Sequence, residues 1–224
     1  PEAFLAAMLN SQPMGFYSPS TLVQDAKRHG VHVLPADITK SRWDAMLEPV
    51  DGPRPAVRLG MNLITGMRPA TAARIAAART ARPFASPADL ARRAELDRHD
   101  LNVLPGADAL RSLAGERPQA YWDTAASLPE RGLLREADIR ETETPILPAL
   151  PEGQAIAADY RSLGLTLGRH PVTLLRDALA DLRFAPSSEL RQQPDCRLVR
   201  TAGIVTGRQK PRTASGVVFI TLED

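Results

Sequence analysis

The residues best suited to chemistry lie in one short stretch, LITGMRPATAAR at 63–74. Gly66 tolerates the positive φ that a tight turn requires, and Pro69 suits the first turn of a helix. Backbone N–H groups at a helix start have no partner within the helix, so they can hold an anion, and neighbouring arginines add positive charge. This spacing predicts an anion site at Ile64, Thr65, Gly66, Met67, Arg68, Thr71 and Arg74.

An apolar-Thr-Gly-apolar turn between a short apolar segment and an Ala-rich helix is a helix-hairpin-helix pattern. In that pattern the anion is a phosphate of the nucleic-acid backbone, which is held without reading any base. An ordinary helical turn contains the same residue types, so the turn favours DNA binding but does not require it.

The elements that position this turn are predicted to be helical. A second set of helices begins at SPAD (86–89), where Ser86 and Asp89 fit a capping box, and it continues through the apolar run at 101–110. This second set resembles a degenerate repeat of the first. The two sets together predict a compact four-helix module. Its predicted core consists of Leu63, Ile64, Ile75, Leu90, Leu101, Leu104 and Leu110.

Shorter elements flank the module. Before it we expect two helices, the second capped by Ser18, and then extended runs at 31–35 and 43–47. After it, the run PILPALP at 145–151 cannot continue a helix and is predicted to be a linker. Two further helices are expected over 154–168 and 171–182.

The last residues predict a β-hairpin, with strands over 198–206 and 216–222. Two strands alone are marginally stable in water, so we expect them to open a larger sheet. A five-stranded oligonucleotide-binding (OB) barrel begins in this way. Its basic turn would then offer Arg208, Lys210 and Arg212 to a single nucleic-acid strand.

The charge of the chain is unevenly distributed, although its net value is only +2. Residues 52–100 contain nine arginines against four acids, and 197–212 contain five bases and no acid. Between them, 116–160 carry nine acids against four bases. Basic clustering suits a phosphate-binding surface, although solvated arginine-rich helix faces give the same pattern.

Composition excludes several classes of site. The single cysteine, Cys196, excludes an intramolecular disulfide and a cysteine-based metal site. The four histidines share no metal-ligand spacing, and no long apolar run predicts a membrane span. We therefore expect a cytoplasmic protein without a membrane partner. The chain begins without Met and stops inside a strand-like run, so we expect an internal piece of a longer protein.

The order of these elements resembles the C-terminal half of the bacterial C-family DNA polymerases, the alpha-type subunits. Residues 1–10 resemble the end of the fingers domain of that family, 58–113 its tandem helix-hairpin-helix domain, and 199–224 the start of its OB-fold. The strings QPMGFYSP at 12–19 and AGIVTGRQKP at 202–211 are similar to the error-prone branch, which copies past lesions in the SOS response.

The resemblance implies a mostly α fold with a small β part, divided into four segments. These are the end of the fingers domain (1–50), the tandem helix-hairpin-helix domain (56–115), an acidic, proline-rich linker with a helical connector (116–196), and the first hairpin of a truncated OB-fold (197–224).

The resemblance also implies a function: the DNA-binding portion of an error-prone DNA polymerase in translesion synthesis and DNA repair. It would hold primer-template duplex and single-stranded template through phosphates. The palm carboxylates that hold Mg²⁺ in this family belong upstream of Pro1. We therefore expect no catalytic, cofactor or metal residue in this chain, and no nucleotide incorporation by the chain alone.

Two other classes of function remain open. The acidic segment at 116–160 would suit a docking platform for a sliding clamp or accessory mutagenesis proteins. A base-excision glycosylase is the third class, because some glycosylases carry this hairpin and Asp89 lies at about the right distance downstream. Asp89 also fits a capping box, however, and no apolar pocket-forming domain is evident.

Overall fold

The computed structural model of the chain describes residues 1–15, 17–125, 145–211, 213 and 216–224, which form two compact units, 1–167 and 168–224. Helices dominate, as predicted. Their bounds are α1 Glu2–Asn10, α2 Pro19–Arg28, α3 Pro69–Ala81, α4 Pro87–Arg93, α5 Arg98–Gly106, α6 Arg111–Ala114, α7 Arg117–Ala125, α8 Glu152–Leu163, α9 Arg176–Asp181 and α10 Ser187–Leu190. Two 3-10 helices span Met61–Leu63 and Pro171–Leu175, and none of the described helices is long and apolar enough to cross a membrane.

The first unit contains a three-stranded sheet, formed by β1 (Val33–Leu34), β2 (Met46–Glu48) and β3 (Ala56–Arg58). Central β3 pairs in parallel with β1 and antiparallel with β2, and all three of its residues are buried. The sequence predicted the extended runs of β1 and β2 but missed β3. The sheet spans the predicted boundary near residues 50–56, and the four-part domain division stays a prediction.

The apolar core of the first unit is continuous from α1 through the sheet to α7. The core predicted for the four-helix module is confirmed. Ile64, Ile75, Leu90, Leu101, Leu104 and Leu110 are buried, and Leu63 is partly buried against the same core. Because this core includes residues on both sides of the hairpin turn, packing fixes the position of the turn.

A close backbone crossing leads into the hairpin. The N–H groups of Met61 and Asn62 donate to the carbonyls of Arg42 and Trp43 at 2.9 and 3.0 Å. Gly60 lies at this crossing, and a Cβ placed on it would be 2.4 Å from the Trp43 carbonyl oxygen. The segment before the turn can therefore cross the segment before β2 only because residue 60 has no side chain.

The helix ends differ in how they are capped. Ser86 caps α4 by accepting the Asp89 N–H at 3.1 Å, as predicted. The reciprocal half of that predicted capping box is wrong, since the Asp89 carboxylate accepts the Ala85 N–H at 3.2 Å instead. A complete capping box lies at the start of α5, where Asp97 and Asp100 each accept the backbone N–H of the other. Neither residue was predicted to cap a helix.

Helix α8 packs beside α5 and reaches the hairpin turn. Its Ser162 carbonyl accepts the Thr65 N–H at 2.7 Å. The helix predicted over 154–168 ends earlier than expected, because Gly164 adopts the left-handed conformation with φ 68°. Such a residue terminates a helix and favours glycine.

The second unit holds α9, α10 and a β-hairpin of β4 (Ile204–Gln209) and β5 (Phe219–Glu223). These strands pair antiparallel with an irregularity between Val205 and Gly207, so the predicted hairpin is confirmed. The predicted helix over 171–182 divides into a 3-10 helix followed by α9. The apolar side chains of both strands are exposed. Membership of a five-stranded barrel stays a prediction.

Candidate nucleic-acid interface

The turn between the 3-10 helix Met61–Leu63 and α3 has the geometry that the sequence predicts. Gly66 has φ 83°, and the Met67 N–H donates to the Ile64 carbonyl at 3.0 Å, which closes the turn. Ile64 and Met67 are buried, whereas Thr65 and Gly66 are exposed. The two apolar side chains therefore anchor the turn, and its tip faces solvent.

Unpaired N–H groups lie at this tip and at the adjoining start of α3. Arg68 is the N-cap of α3 and offers no side-chain acceptor, and the first turn holds no acidic residue. Within the described ranges, no acceptor pairs with the N–H of Gly66, Arg68 or Ala70, and all three residues are exposed. Because such groups carry partial positive charge, this surface is suited to an anion.

Three of the predicted site residues surround one buried carboxylate, Asp100, which is 1% exposed. Arg68 Nη2 lies 2.7 Å from Asp100 Oδ1, and Arg74 Nη2 lies 3.5 Å from Asp100 Oδ2. The Thr71 hydroxyl donates to the same carboxylate at 3.2 Å, and Thr71 itself is 1% exposed. Thr71 therefore stabilises the junction of α3 and α5 and is not accessible to a phosphate.

The two arginines differ in what they can still bind. Arg68 also pairs with Asp97 at 2.6 Å, but 46% of its side chain remains exposed at the turn. The hydrogen bond from Arg68, together with the one from the Asp100 N–H, lowers the pKa of Asp97. In turn, the carboxylates of Asp97 and Asp100 raise the pKa of Arg68. Arg74 Nε donates to the Ala94 carbonyl at 2.8 Å, so Arg74 joins α3 to the second hairpin.

Sequence reasoning missed two residues at the start of α5. His99 Nε2 lies 2.9 Å from the Gly66 carbonyl oxygen, which fixes that peptide. Arg98, the first residue of α5, is exposed and has no hydrogen-bonding or ionic partner among the described residues. The only sequence signal for either was proximity to the second set of helices.

The second hairpin, between α4 and α5, repeats the first with two chemical differences. Glu95 adopts φ 50° in its turn, where the first hairpin has Gly66. The N-terminus of α5 is occupied by the carboxylates of Asp97 and Asp100. Because these negative groups already satisfy the helix start, the second hairpin is not suited to hold a phosphate.

Asp89 is enclosed by three guanidinium groups, those of Arg82, Arg92 and Arg93, at 3.0, 3.2 and 3.0 Å. Burial raises its pKa, but the Ala85 N–H and the arginines outweigh burial and lower it. Arg93 further donates to three carbonyls and lies over the Phe84 ring. Asp89 therefore joins α4 to the end of α3, and this arrangement does not favour the glycosylase alternative.

The predicted basic turn belongs to the second unit. Arg208 lies in β4 opposite Ile220, and Lys210 follows β4; both are exposed. Arg212 lies outside the described residues, as does much of the acidic segment, 126–144. Among the residues that the structure describes, no cluster of His, Cys, Asp or Glu is placed to hold a metal ion.

Asp108, in the first unit, provides a prediction of how stability depends on pH. Burial raises its pKa above the ordinary 3.8, against the opposing Arg111 hydrogen bond, and its Oδ1 is buried without a partner. A raised folded-state pKa means that this group stabilises the fold below pH 3.8, and that the stabilisation is lost as pH rises through the folded pKa. Asp108→Asn keeps a side chain that tolerates its φ of 56°. We expect the variant to gain about 0.5–1 kcal/mol at pH 7.

Urea denaturation at pH 7 and pH 3.5 measures this effect. The gain should shrink at the lower pH, and the exposed Asp44→Asn should show no gain at pH 7. A loss of stability in Asp108→Asn that is equal at both pH values would contradict the expectation.

Two successive hairpins, the first with an exposed turn, are the features of a tandem helix-hairpin-helix protein. The helix-hairpin-helix motif family matches residues 30–120. The whole chain is similar to proteins named "Error-prone DNA polymerase". It is 61% identical to the one from Bordetella parapertussis, 56% to that of Burkholderia pseudomallei and 55% to that of Ralstonia pickettii.

The chain is therefore homologous to one part of the error-prone DNA polymerases, as the sequence resemblance predicted. It spans about a fifth of the length of these relatives, 21–22%.

Proposed function

We propose that the hairpin turn at 64–70 holds a backbone phosphate of DNA. The observation that carries this proposal is the exposed, uncapped start of α3, where the N–H groups of Gly66, Arg68 and Ala70 have no acceptor among the described residues. The turn is held in place by the buried side chains of Ile64 and Met67 and by the contact between His99 and the Gly66 carbonyl. A site of this kind binds without sequence preference, because every nucleotide carries the same phosphate.

The arginines have separate tasks in this proposal. Arg68 is oriented by Asp97 and Asp100 and directs its exposed charge to the phosphate, while Arg74 positions the second hairpin. Arg98 is unpaired among the described residues and gives a further charge next to His99. Thr71 supports the site from its buried position.

Ala70→Glu tests the proposal with little risk to the fold. A carboxylate in the first turn of α3 favours the helix dipole, so stability should be unchanged or slightly higher. The same carboxylate repels a phosphate, so affinity for DNA should fall at least about tenfold, which is about 1.4 kcal/mol. Fluorescence anisotropy with duplex, single-stranded and primer-template DNA across a salt series measures this.

Ala77→Glu is the matched control, because it adds the same charge to an exposed position two turns further along α3. It should bind DNA nearly as the unsubstituted chain does. Arg98→Ala should lower the slope of log K against log salt by about one. Equal DNA binding by Ala70→Glu and Ala77→Glu would overturn the proposal.

For the longer protein we propose DNA-directed DNA synthesis past lesions, in DNA repair during the SOS response and in the cytoplasm. The name of the relatives supports this proposal. Mg²⁺ and the catalytic carboxylates would be supplied by residues outside this chain. In a primer-extension assay the chain alone should therefore incorporate no nucleotide.

The terminal β-hairpin would open an OB-fold and contact single-stranded template through Arg208, Lys210 and Arg212. A second proposal concerns protein partners, a sliding clamp or accessory mutagenesis proteins. Its support is the acidic, proline-rich segment, in which Ile146 is almost fully exposed. Ala70→Glu should leave such partners bound, which separates them from DNA.

A further inference from the structure

A cavity of about 370 Å³ opens beside the hairpin turn, between α5, α7 and α8. This volume lies within the range of small-ligand sites. Its polar lining consists of Thr65, Asn102, Arg117, Tyr121, Arg161 and Ser162. Among the described residues that line the cavity none is acidic, so the lining itself presents two guanidinium groups, hydroxyls and an amide; the nearest carboxylate partner is Asp159, which pairs with Arg117.

Arg117 is the buried cation of this cavity, with 6% of its surface exposed. Its Nη2 lies 2.6 Å from Asp159 Oδ1, and its Nη1 donates to the Ala155 carbonyl at 3.2 Å. Its Nε has no acceptor within the described part of the chain. A buried donor without a partner is unfavourable, so an acceptor that reaches it from the cavity would relieve that cost.

Arg161 adds an outer cation on α8. It is exposed, and its Nε makes a long contact of 3.3 Å with the Ala157 carbonyl of its own helix. Its Nη groups have no partner among the described residues. Tyr121 contributes an aromatic ring whose hydroxyl lies over Gly106, since a Cβ on Gly106 would be 2.9 Å from Tyr121 Oη. The lining thus combines charge for a phosphate with a ring that a base can contact.

The cavity is continuous with the hairpin through Thr65. The Thr65 N–H is bound by the Ser162 carbonyl, and both residues belong to the lining. The unpaired N–H groups begin at the next residue, Gly66. The phosphate site proposed at the turn and the cavity therefore adjoin each other in the chain, with Thr65 in the cavity lining and Gly66 at the turn.

We propose that this cavity is a nucleotide subsite, in which Arg117 Nε and Arg161 hold a phosphate and Tyr121 contacts the base or sugar. If the ligand is a nucleotide of a bound DNA strand, this assignment rests on the phosphate-binding function proposed for the turn. A free nucleotide carries the same phosphate, sugar and base, so it would be recognised by the same groups. Asn102 and Ser162 supply the remaining hydrogen-bonding groups.

The Nε–H of Arg117 is a direct probe of this subsite, because it is visible in ¹⁵N-edited NMR spectra. Thymidine monophosphate, inorganic phosphate and a single-stranded oligonucleotide would be titrated separately into the whole chain. The Arg117 Nε–H signal should shift with the oligonucleotide. A shift with the monophosphate as well would mean that a free nucleotide fills the cavity, and a shift with the oligonucleotide alone would assign it to the bound strand.

Arg161→Ala should remove one phosphate contact, which weakens DNA binding about threefold to tenfold and lowers the salt slope by about one. Tyr121→Ala should weaken binding without changing that slope. Arg92→Ala, an exposed arginine outside the lining, should change neither quantity.

The outcomes separate the two proposals. If Ala70→Glu abolishes DNA binding while Arg161→Ala changes neither affinity nor slope and Arg117 Nε–H does not shift, the turn binds DNA and the subsite is refuted. If the Arg117 signal shifts with monophosphate while Ala70→Glu has no effect, the subsite stands and the phosphate role of the turn fails.

Discussion

Gly60→Ala is expected to lower the free energy of unfolding by about 3 kcal/mol, the upper part of the range for overpacking. A Cβ at residue 60 would lie 2.4, 2.5 and 2.6 Å from backbone atoms of Trp43, Asp44 and Ala45. Because backbone atoms cannot rotate away as a side chain can, the two segments must separate. That separation would weaken the hydrogen bonds from Met61 and Asn62 to the 42–43 segment.

Urea denaturation followed by tryptophan fluorescence measures this loss, since Trp43 lies at the crossing. Gly30→Ala is the control, because a Cβ there would meet nothing within 4 Å and the substitution adds only the cost of a φ of 76°. That cost is about 1–2 kcal/mol. A Gly60→Ala variant no less stable than Gly30→Ala would show that the crossing relaxes easily.

The same crossing explains what the sequence could predict about the fold. The hairpin turn and the module core followed from local signals, namely a glycine and a proline at the turn and apolar residues at helical spacing. Gly60 carries no such signal, because any residue can adopt its φ of −79°. A side chain is excluded at this position only by backbone atoms that lie fifteen or more residues away in the sequence.

Strand β3 was missed for a related reason. It is only three residues long, Ala56–Arg58, which is too short to show strand alternation. It forms because β1 and β2 supply hydrogen-bonding partners on both of its edges. Arg58 is buried in it by a bidentate pair with Glu48, a contact that neither residue type nor local spacing indicates.

The distribution of charge in the sequence was the poorest guide to the binding surface. The arginine excess at 52–100 predicted a basic surface, yet most of these side chains serve the fold. Arg79 binds the carbonyls of Ile38 and Ser41, and burial lowers its pKa; Arg82 and Arg93 bind Asp89. A sequence gives the number of charges, but only the fold shows which are paired. The phosphate site that we propose therefore depends on unpaired N–H groups more than on the arginine count.

The two hairpins show how the same backbone motif acquires different chemistry. Both present a helix start after a turn with positive φ, at Gly66 and Glu95. The first lacks a cap, and the second is closed by Asp97 and Asp100. The carboxylates that occupy the second site also orient Arg68 at the first. The second hairpin thus supplies residues that support the phosphate site proposed at the first.

Asp100→Ala is consequently expected to destabilise the chain by about 2–4 kcal/mol. Its carboxylate is 1% exposed and accepts from Arg68, Thr71 and the Asp97 N–H, with Arg74 at 3.5 Å. Arg68 and Arg74 can regain water when it is removed, but the buried Thr71 hydroxyl cannot. Half of the α5 capping box is lost in the same substitution.

Asp97→Ala separates capping from the buried network. Asp97 is the N-cap of α5 but is exposed, so its loss should cost about 1 kcal/mol. Thermal and urea denaturation of both variants give the comparison, and DNA anisotropy on the folded fraction adds a second readout.

Asp100→Ala should weaken DNA binding through the displaced start of α3, although it removes a negative charge beside the proposed phosphate. Tighter binding instead would mean that charge outweighs the geometry of the turn, and an equal loss of stability in the two variants would mean that the buried contacts add nothing to the cap.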